Sequence, residues 1–542
     1  MPATPRPSPW TLAAALGAGA VAVPIVAVLA SLLTPRVEVW AHLWHTQLAA
    51  LVLNTAVLVA GVGAGTLVLG TGLAWLVVAY RFPGSRVFEW ALILPLAVPA
   101  YVIGFAFLGL LDYTGPVQTW LRAALGPGAR LPELRSAWGV TLVMTLVFYP
   151  YVYLLARTAF REHGAATLET ARSLGHTRGR ALVEVILPMA RPALAAGASL
   201  AMMEALADVG TVATFGYRTL TEGVYRVWLG MFDRLAATQL ASVLLLAAFA
   251  LLALERALRG RARFVQSHRR GPGVRPEPLR GWRALAATGV CALVLGLAFG
   301  LPVTQLLLWA RDATVTMSAA RFRALLANTL ALAGAAAAGT GLLALVLAYA
   351  ARAHRTRPVR LAVQFATMGY ALPGAVVAVG VLVPLSLVDH PLTRAAERLL
   401  GRPLDLLLTG SAAALLFAYA VRFLAVAYQT LDASLARIPP SLDDAARSLG
   451  AGRGATLRRV HLPLLRGGLL TALVLVFVET MKEMPATLLL RPFGLDTLAV
   501  GIWELTAESL WAEAALPALA LVVAGLGPVF LAIRLSARPP VP

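Results

Sequence analysis

Long apolar runs alternate with short polar, arginine-rich segments along the whole chain. An α-helix needs about 20 apolar residues to cross the hydrocarbon core of a bilayer, and twelve runs come close to that length. They form two sets of six, so the pattern predicts an all-α integral membrane protein with about twelve transmembrane helices in two six-helix repeats. The predicted spans are residues 11–33, 51–80, 89–111, 139–155, 195–215 and 240–254, followed by 284–310, 325–350, 361–387, 406–427, 469–490 and 514–533.

Two polar segments between the spans repeat each other, and we call them the first platform (residues 161–192) and the second platform (residues 432–465). Each pattern predicts a short arginine-rich helix, a glycine break and a second helical run that contains a Leu-Pro pair. Segments this polar cannot lie in lipid, so both platforms are predicted at the membrane surface. The residues that match at one constant offset are Glu169, Thr170, Ala171, Gly175, Leu187 and Pro188 in the first platform and Asp444, Ala445, Ala446, Gly450, Leu462 and Pro463 in the second.

The repeat extends from the platforms into the spans. Asn54-Thr55 and Asn328-Thr329 open the second span of each half, and Ala97-Val98-Pro99 matches Ala371-Leu372-Pro373 in the third. The segment between the halves is rich in Arg, Gly and Pro, which is typical of a linker. The predicted organisation is a first six-helix half at residues 1–255, a linker at residues 256–283 and a second six-helix half at residues 284–542.

Composition excludes several classes of protein. Hydrophobic residues make up 59% of the chain and charged residues 13%, whereas soluble globular chains carry about a quarter charged residues. The net charge of +20 is spread over short clusters between apolar runs, which indicates the charge bias of membrane proteins rather than nucleic-acid binding. Lys482 is the only lysine and does not stand in a Walker motif, so any ATP must be hydrolysed by a partner. Cys291 is the only cysteine, which leaves no internal disulfide and no thiolate metal cluster.

The distribution of arginine predicts the orientation of the chain in the membrane. With both termini inside, the inner segments hold about twice as many arginines as the outer loops, and positive charge favours the cytoplasmic side. Both platforms, the linker and both termini are therefore predicted to be cytoplasmic. This is also the side on which an ATP-hydrolysing partner would have to bind.

Four acidic residues lie inside predicted spans, where a charge is costly and usually faces the bundle interior or a water-filled path. Glu204 and Asp208 are four residues apart in the fifth span and would share a helix face, as would Glu479 and Glu483 in the eleventh. If the two pairs face the axis between the halves, their oxygen atoms suit a hard cation. The alternative is that these acids neutralise Lys482 or loop arginines, and the two roles are compatible.

The platforms resemble the cytoplasmic loop of ABC-importer permeases, which docks into an ATPase subunit. Two copies in one chain imply a fused permease with the type I ABC importer fold in a bacterial inner membrane. Thr170 and Asp444 depart mildly from the usual Ala and Glu of this loop. The resemblance implies two copies of an ABC ATPase subunit and a periplasmic or lipid-anchored binding protein as partners, with membrane lipid around the chain. It also implies that ATP is used by the partner and that this chain binds no cofactor.

Further segments resemble the permeases of the ferric-iron type, namely residues 203–216, 218–221, 224–228 and, most specifically, 481–505. This resemblance covers nearly the whole chain. It implies the translocation pore of an ATP-driven, binding-protein-dependent importer of ferric iron, not an enzyme, with Glu204, Asp208, Glu479 and Glu483 as candidates for the substrate path. Fe(III) is expected only in passage, without a structural metal site. Importers of thiamine, polyamines, sulfate, molybdate and phosphonates share the platform loop, so these cargoes stay open.

Two other classes of protein are compatible with parts of the pattern. A secondary transporter of the major-facilitator type also has six plus six helices, but it does not need duplicated platforms, and residues 81–86 differ from its usual loop signature. A membrane-embedded enzyme would need a concentrated catalytic set, for which only the four acids qualify. His42 and His45 have a metal-ligand spacing but no third ligand near them in the sequence.

Overall fold

A computed structural model describes residues 9–34, 37–173, 175–259, 276–312, 317–353, 356–401 and 406–537. The helices are α1 (Pro9–Ala30), α2 (Val37–Thr46), α3 (Leu48–Ala79), α4 (Ser85–Ala91), α5 (Ala100–Leu111), α6 (Pro116–Leu125), α7 (Ala137–Ser173), α8 (Arg178–Ala181), α9 (Leu187–Ala207), α10 (Gly210–Thr214), α11 (Leu220–Tyr225), α12 (Arg234–Arg259), α13 (Trp282–Leu295), α14 (Leu301–Asp312), α15 (Ala319–Ala353), α16 (Arg357–Ala366), α17 (Gly374–Leu400), α18 (Ala412–Leu435), α19 (Pro440–Ser448), α20 (Arg453–Thr456), α21 (Leu462–Leu464), α22 (Arg466–Lys482), α23 (Pro485–Leu490), α24 (Leu498–Ala507) and α25 (Trp511–Ala537).

Short irregular segments join several of these helices. The 3-10 segments are Ser31–Leu33, Leu94–Ala97 and Thr367–Ala371, and the π segments are Leu182–Ile186, Arg226–Gly230, Gly296–Gly300 and Leu457–His461. Two short strands, β1 (Tyr80–Arg81) and β2 (Glu277–Pro278), pair in parallel, with Tyr80 opposite Glu277. The regular secondary structure of the described residues is therefore helical apart from this one ladder.

The described helices account for the predicted membrane spans. Ten segments are long and apolar enough to cross a membrane, and an eleventh is the bent pair Gly454–Leu464 and Arg466–Lys482, whose axes differ by 77°. The twelfth predicted span lies on α25, which contains the apolar segment Trp511–Gly527. One helical segment thus corresponds to each predicted span, and the all-α membrane fold class is confirmed.

Prolines determine where two of the long helices begin. The predicted third and ninth spans are each interrupted by a 3-10 turn, and their long helices α5 and α17 start immediately after Pro99 and Pro373. Proline in a helix interior lacks a hydrogen-bond donor and clashes with the preceding turn, but it is tolerated where a helix starts. The duplicated prolines therefore begin these spans.

A buried carboxylate delays the start of another span. The tenth span is predicted from residue 406, but α18 begins at Ala412. The carboxylate of Asp389 accepts hydrogen bonds from the backbone N–H groups of Leu407, Leu408 and Thr409, at 2.8, 3.0 and 2.6 Å. These N–H groups are held in a loop, so the helix starts after them.

The contacts divide the chain into two packing units, which we describe separately. The first packing unit comprises Met1–Ala41, Val224–Leu245 and Met317–Trp503. Helices α15, α18 and α22 form its centre, and α1 packs along α15, α16 and α17. A Cβ atom on Gly380 would lie 2.5 Å from the carbonyl oxygen of Pro24, so α1 and α17 approach closely because Gly380 has no side chain.

The second packing unit comprises His42–Gly223, Leu246–Thr316 and Glu504–Pro542. Helices α3, α7 and α9 form its centre, and α14 packs against α25 and α5. Phe105 of α5 stacks with Trp309 and with Trp511, at ring-centroid distances of 6.1 and 6.0 Å. Three aromatic rings thereby join α5, α14 and the start of α25.

The packing units recombine the two sequence repeats. Helix α1 belongs to the first repeat but packs with spans of the second, whereas α14 and α25 belong to the second repeat but pack with spans of the first. Each repeat therefore places helices against spans of the other. The boundaries of the two sequence halves stay a prediction, and residues 260–275 of the linker lie outside the described residues.

Candidate functional site

The first platform continues the long helix α7 and ends at a glycine turn. Gly175 has φ +87°, in the left-handed region that favours glycine. The N–H of His176 donates to the carbonyl oxygen of Ala171 at 3.0 Å, which is the bond that typically closes a helix at such a glycine. Glu169 and Thr170 lie within α7, and their side chains are outside the described residues.

The second platform has the same glycine turn. Gly450 has φ +76°, and the N–H of Ala451 donates to the carbonyl oxygen of Ala446 at 2.9 Å. Asp444 and Ala445 are exposed on α19, whereas Ala446 is buried. The platform helix therefore presents its acid to the surface and packs its last small residue inward.

A π turn follows each glycine turn at the matching place in the repeat. Leu182–Ile186 and Leu457–His461 are the two π segments, and each directly precedes a Leu-Pro pair. Proline removes one helical hydrogen bond and clashes with the carbonyl one turn earlier, and a wider turn relieves that clash. The two Leu-Pro pairs are equally exposed: Leu187 and Leu462 are both half-buried, and Pro188 and Pro463 are both exposed.

An ion-pair cluster fixes the second platform to the end of α15. The guanidinium of Arg352 lies 2.9 Å from the carboxylate of Asp443, and its other N–H groups donate to the carbonyl oxygens of Leu435 and Ile438, at 2.6 and 3.0 Å. The buried imidazole of His461 contacts the same carboxylate through Nε2 at 2.5 Å. Arg352, Asp443 and His461 line a cavity of about 460 Å³.

A different cluster fixes α7 next to the first platform. The carboxylate of Glu89, on α4, pairs with Arg157 at 3.1 Å and with Arg161 at 2.8 Å. The Arg157 guanidinium also lies 4.3 Å from the ring centroid of Trp90. None of these anchoring residues was singled out from the sequence. Their signal is an acid and a base at the ends of neighbouring predicted spans, which sequence alone could not pair.

Each of the two acid-bearing spans is broken at its second acid. Helix α9 ends at Ala207 and α22 ends at Lys482, so Asp208 and Glu483 have extended backbones. The Asp208 carboxylate accepts the N–H of Thr211 at 2.6 Å, and Glu483 accepts the N–H of Ala486 at 2.8 Å. The expectation that each pair of acids shares one continuous helix face is therefore corrected, because the second acid caps the short helix after the break.

The acids in the second half have basic partners in the structure. Lys482 Nζ donates to Glu479 Oε1 at 3.0 Å. Arg422 Nε lies 3.3 Å from Glu483 Oε2, in a site where Gly374 leaves room for the guanidinium. The charge pairing considered as an alternative is therefore present for both Glu479 and Glu483.

The duplicated Asn-Thr pairs hold the loop that follows each broken span. Asn54 donates to the carbonyl oxygen of Arg218 at 2.9 Å, and Thr55 Oγ1 accepts the N–H of Leu220 at 2.9 Å. In the second half the corresponding bonds are from Asn328 to the carbonyl oxygen of Asp496, at 3.0 Å, and from the N–H of Leu498 to Thr329, at 2.8 Å. The sequence repeat is thus also a repeat of tertiary contacts.

The substrate path itself stays a prediction. Glu204 and Asp208 belong to the second packing unit, and Glu479 and Glu483 belong to the first. Among the described residues, no group of three or more His, Cys, Asp or Glu side chains could hold a metal ion.

A family model matches both halves of the chain, at residues 66–263 and 340–538. Its description is the binding-protein-dependent transport system inner membrane component. The chain belongs to this family. It is therefore the permease component of a binding-protein-dependent importer and a multi-pass membrane protein, and the fused arrangement of two permease halves is confirmed.

Individual relatives extend this result. The chain is 29% identical to the Fe(3+)-transport system permease protein FbpB 2 of Haemophilus influenzae over 506 residues, which is 92% of each chain. It is 31% identical to the sulfate transport system permease protein CysT of Escherichia coli over 192 residues, covering 34% of this chain and 67% of the relative. A solved chain from a bacterial alginate ABC transporter covers 47% of this chain and 94% of its own length, with 20% identity and a TM-score of 0.38.

Proposed function

We propose that this chain is the translocation pore of an ATP-driven importer of ferric iron. The observation that carries the proposal is the duplication of the platforms, with matching glycine turns and π turns, in a chain similar over 92% of its length to a protein named as an Fe(3+)-transport permease. The resemblance of residues 481–505 to ferric-type permeases supports the same cargo. The chain has no Walker lysine, so ATP is hydrolysed by a partner.

Two copies of an ABC ATPase subunit bind the platforms in this proposal. Asp444 is exposed on the second platform, and Gly175 and Gly450 bring each platform helix to an abrupt end at the surface. Both platforms are cytoplasmic, as are the two termini. Closure of the ATPase subunits on ATP moves the platforms, and the membrane path opens alternately to each side.

The second platform transmits force through its ion-pair cluster. Arg352, at the end of α15, joins Asp443 of the platform helix to two carbonyl oxygens near the end of α18. A displacement of α19 is therefore transmitted to both α15 and α18. The first platform is continuous with α7, which Glu89 holds through Arg157 and Arg161. Each platform is thus mechanically joined to its own packing unit.

Cargo is delivered from outside by a binding protein that is periplasmic or lipid-anchored. The family description supports a binding protein as the partner. The chain binds no cofactor of its own, and Fe(III) is the cargo rather than a resident metal. Similarity to a sulfate permease favours a second candidate, an oxyanion importer with the same machinery.

The test is uptake of labelled ferric iron into vesicles that contain this chain, its ATPase and its binding protein. We expect uptake only when ATP and the binding protein are both present. Uptake of sulfate, thiamine or a polyamine in place of iron would retain the importer and change the cargo. Uptake that continues without the ATPase would contradict an ATP-driven importer and favour a secondary transporter.

A further inference from the structure

The two broken spans differ in the charge around their capping carboxylates. Asp208 and Glu483 occupy matching places in the repeat and cap matching breaks. The positions that hold Arg422 and Lys482 in the second half hold Val147 and Ala207 in the first. Both basic partners of the second half are therefore replaced by apolar residues in the first half.

Glu483 is enclosed and neutralised. Its side chain is 3% exposed, and both of its oxygen atoms are used, since Arg422 lies 3.3 Å from Oε2 and the N–H of Ala486 donates to Oε1 at 2.8 Å. A Cβ atom on Gly374 would lie 2.2 Å from an Arg422 nitrogen and 2.8 Å from Oε1, so the absence of a side chain there allows the ion pair to form. Three separate helical segments therefore enclose this pair.

Asp208 is bound only by neutral groups. Its carboxylate accepts the N–H of Thr211 at 2.6 Å and the hydroxyl of Thr211 at 3.1 Å. Among the residues that the structure describes, no basic side chain forms an ion pair with it. Asp208 as a residue is half-buried.

A carboxylate that already faces a guanidinium offers little net attraction to a passing cation, whereas one held only by neutral donors has no opposite charge beside it to offset that attraction. We propose that Arg422 removes Glu483 from the cargo path and that Asp208 alone is the capping carboxylate that meets a cationic cargo. Arg422 is then a positioning residue, which holds the broken span by neutralising its cap. This inference rests on the proposed import of a cation.

Matched neutral variants separate the two acids. Asp208→Asn keeps a side-chain oxygen that can accept the N–H of Thr211, so the cap survives while the charge is lost. Glu483→Gln alone removes the negative charge that offsets the half-buried Arg422 guanidinium, which destabilises the protein. The double variant Arg422→Gln with Glu483→Gln removes both charges together, and two amide side chains can hydrogen-bond to each other.

The experiment measures ATP-driven uptake of labelled Fe(III) and the melting temperature of the purified complex for each variant. We expect Asp208→Asn to melt like the wild type and to lose uptake about tenfold, which corresponds to 1.4 kcal/mol of interaction with the cation. We expect Glu483→Gln to lower the melting temperature and the double variant to restore both melting and uptake. A stable double variant without uptake, or full uptake by Asp208→Asn, would overturn the proposal.

A cargo-independent measurement keeps the two proposals distinguishable. Cys291 is the only cysteine, so a Cys291→Ala background allows single cysteines at position 208 or at position 483, with Arg422 retained in both. We expect a cationic thiol reagent added from outside to label position 208 faster than position 483. Equal or faster labelling at position 483 would overturn the inference. If the wild type carries no iron but position 208 is labelled faster, the cargo is wrong and the asymmetry stands.

Discussion

The carboxylates of Asp443 and Asp444, neighbours in sequence on α19, have opposite surroundings. Asp443 is paired with Arg352 at 2.9 Å and with the buried His461, whereas Asp444 is exposed and pairs with Arg447 at the surface. One acid therefore holds the platform to the protein. The other is left at the surface, where a partner can reach it.

Replacement of Arg352 tests this division of roles. We expect Arg352→Met to destabilise the purified complex by about 2 kcal/mol, because a largely buried carboxylate and two carbonyl oxygens lose their donor. Stimulation of the ATPase by cargo should fall as well. Arg447→Met is the matched control, and its exposed ion pair should contribute less than about 1 kcal/mol. Equal melting temperatures for the two variants would contradict the anchoring role of Asp443.

The glycine turns make a second prediction. Gly175→Val and Gly450→Val should each uncouple ATP hydrolysis from uptake while leaving membrane insertion intact, because a side chain in the left-handed region costs at least about 1 kcal/mol and tilts the platform. No atom of the described residues lies within 4 Å of a Cβ atom built at either position, so the expected effect is backbone strain. Gly179→Ala and Gly454→Ala, at helical positions with open space, are the controls. Uptake that stays coupled to ATP hydrolysis in both valine variants would show that glycine is not required at these two turns.

The hydrogen bond between Thr329 and the loop after the second broken span makes a third prediction. Thr329→Val removes the acceptor for the N–H of Leu498 and should destabilise the protein by about 1 to 2 kcal/mol, since a buried donor is left unpaired. Thr340→Val is the matched control on the same helix. The hydroxyl of Thr340 has no hydrogen-bond partner in the described structure, so its loss should be neutral or stabilising. The measurement is the thermal unfolding of both variants beside the wild type. A smaller loss of stability for Thr329→Val than for Thr340→Val would show that Thr329 does not hold the loop.

The buried carboxylate of Asp389 makes a fourth prediction. Asp389→Asn replaces an acceptor of several charge-assisted backbone hydrogen bonds and should destabilise the loop before α18 by about 2 kcal/mol. Protease cleavage in that loop should become faster. The control variant His390→Ala, at an exposed neighbouring residue, should be cleaved at the wild-type rate. An unchanged cleavage rate in Asp389→Asn would show that the loop holds its conformation without the carboxylate.

The length of the apolar runs was sufficient to predict the spans. Each span must satisfy its own backbone hydrogen bonds in lipid, so it must be a long apolar helix. The same reasoning missed the breaks after Ala207 and Lys482, since Asp208 and Glu483 look like further helical residues until their capping bonds are seen. The pairing of Glu483 with Arg422 was also missed, because the two residues lie on different spans. Platform residues were found because they are duplicated, and duplication is visible in a single sequence.

The exchange of outer helices between the repeats has a consequence for biosynthesis. Helix α1 is made before its packing partners α15, α16 and α17, which come after the whole first repeat in the chain. Until then the close-packing face around Pro24 meets lipid instead of Gly380. A single polypeptide keeps this early helix near its late partners at a high effective concentration, which two separate chains would have to reach by diffusion in the membrane.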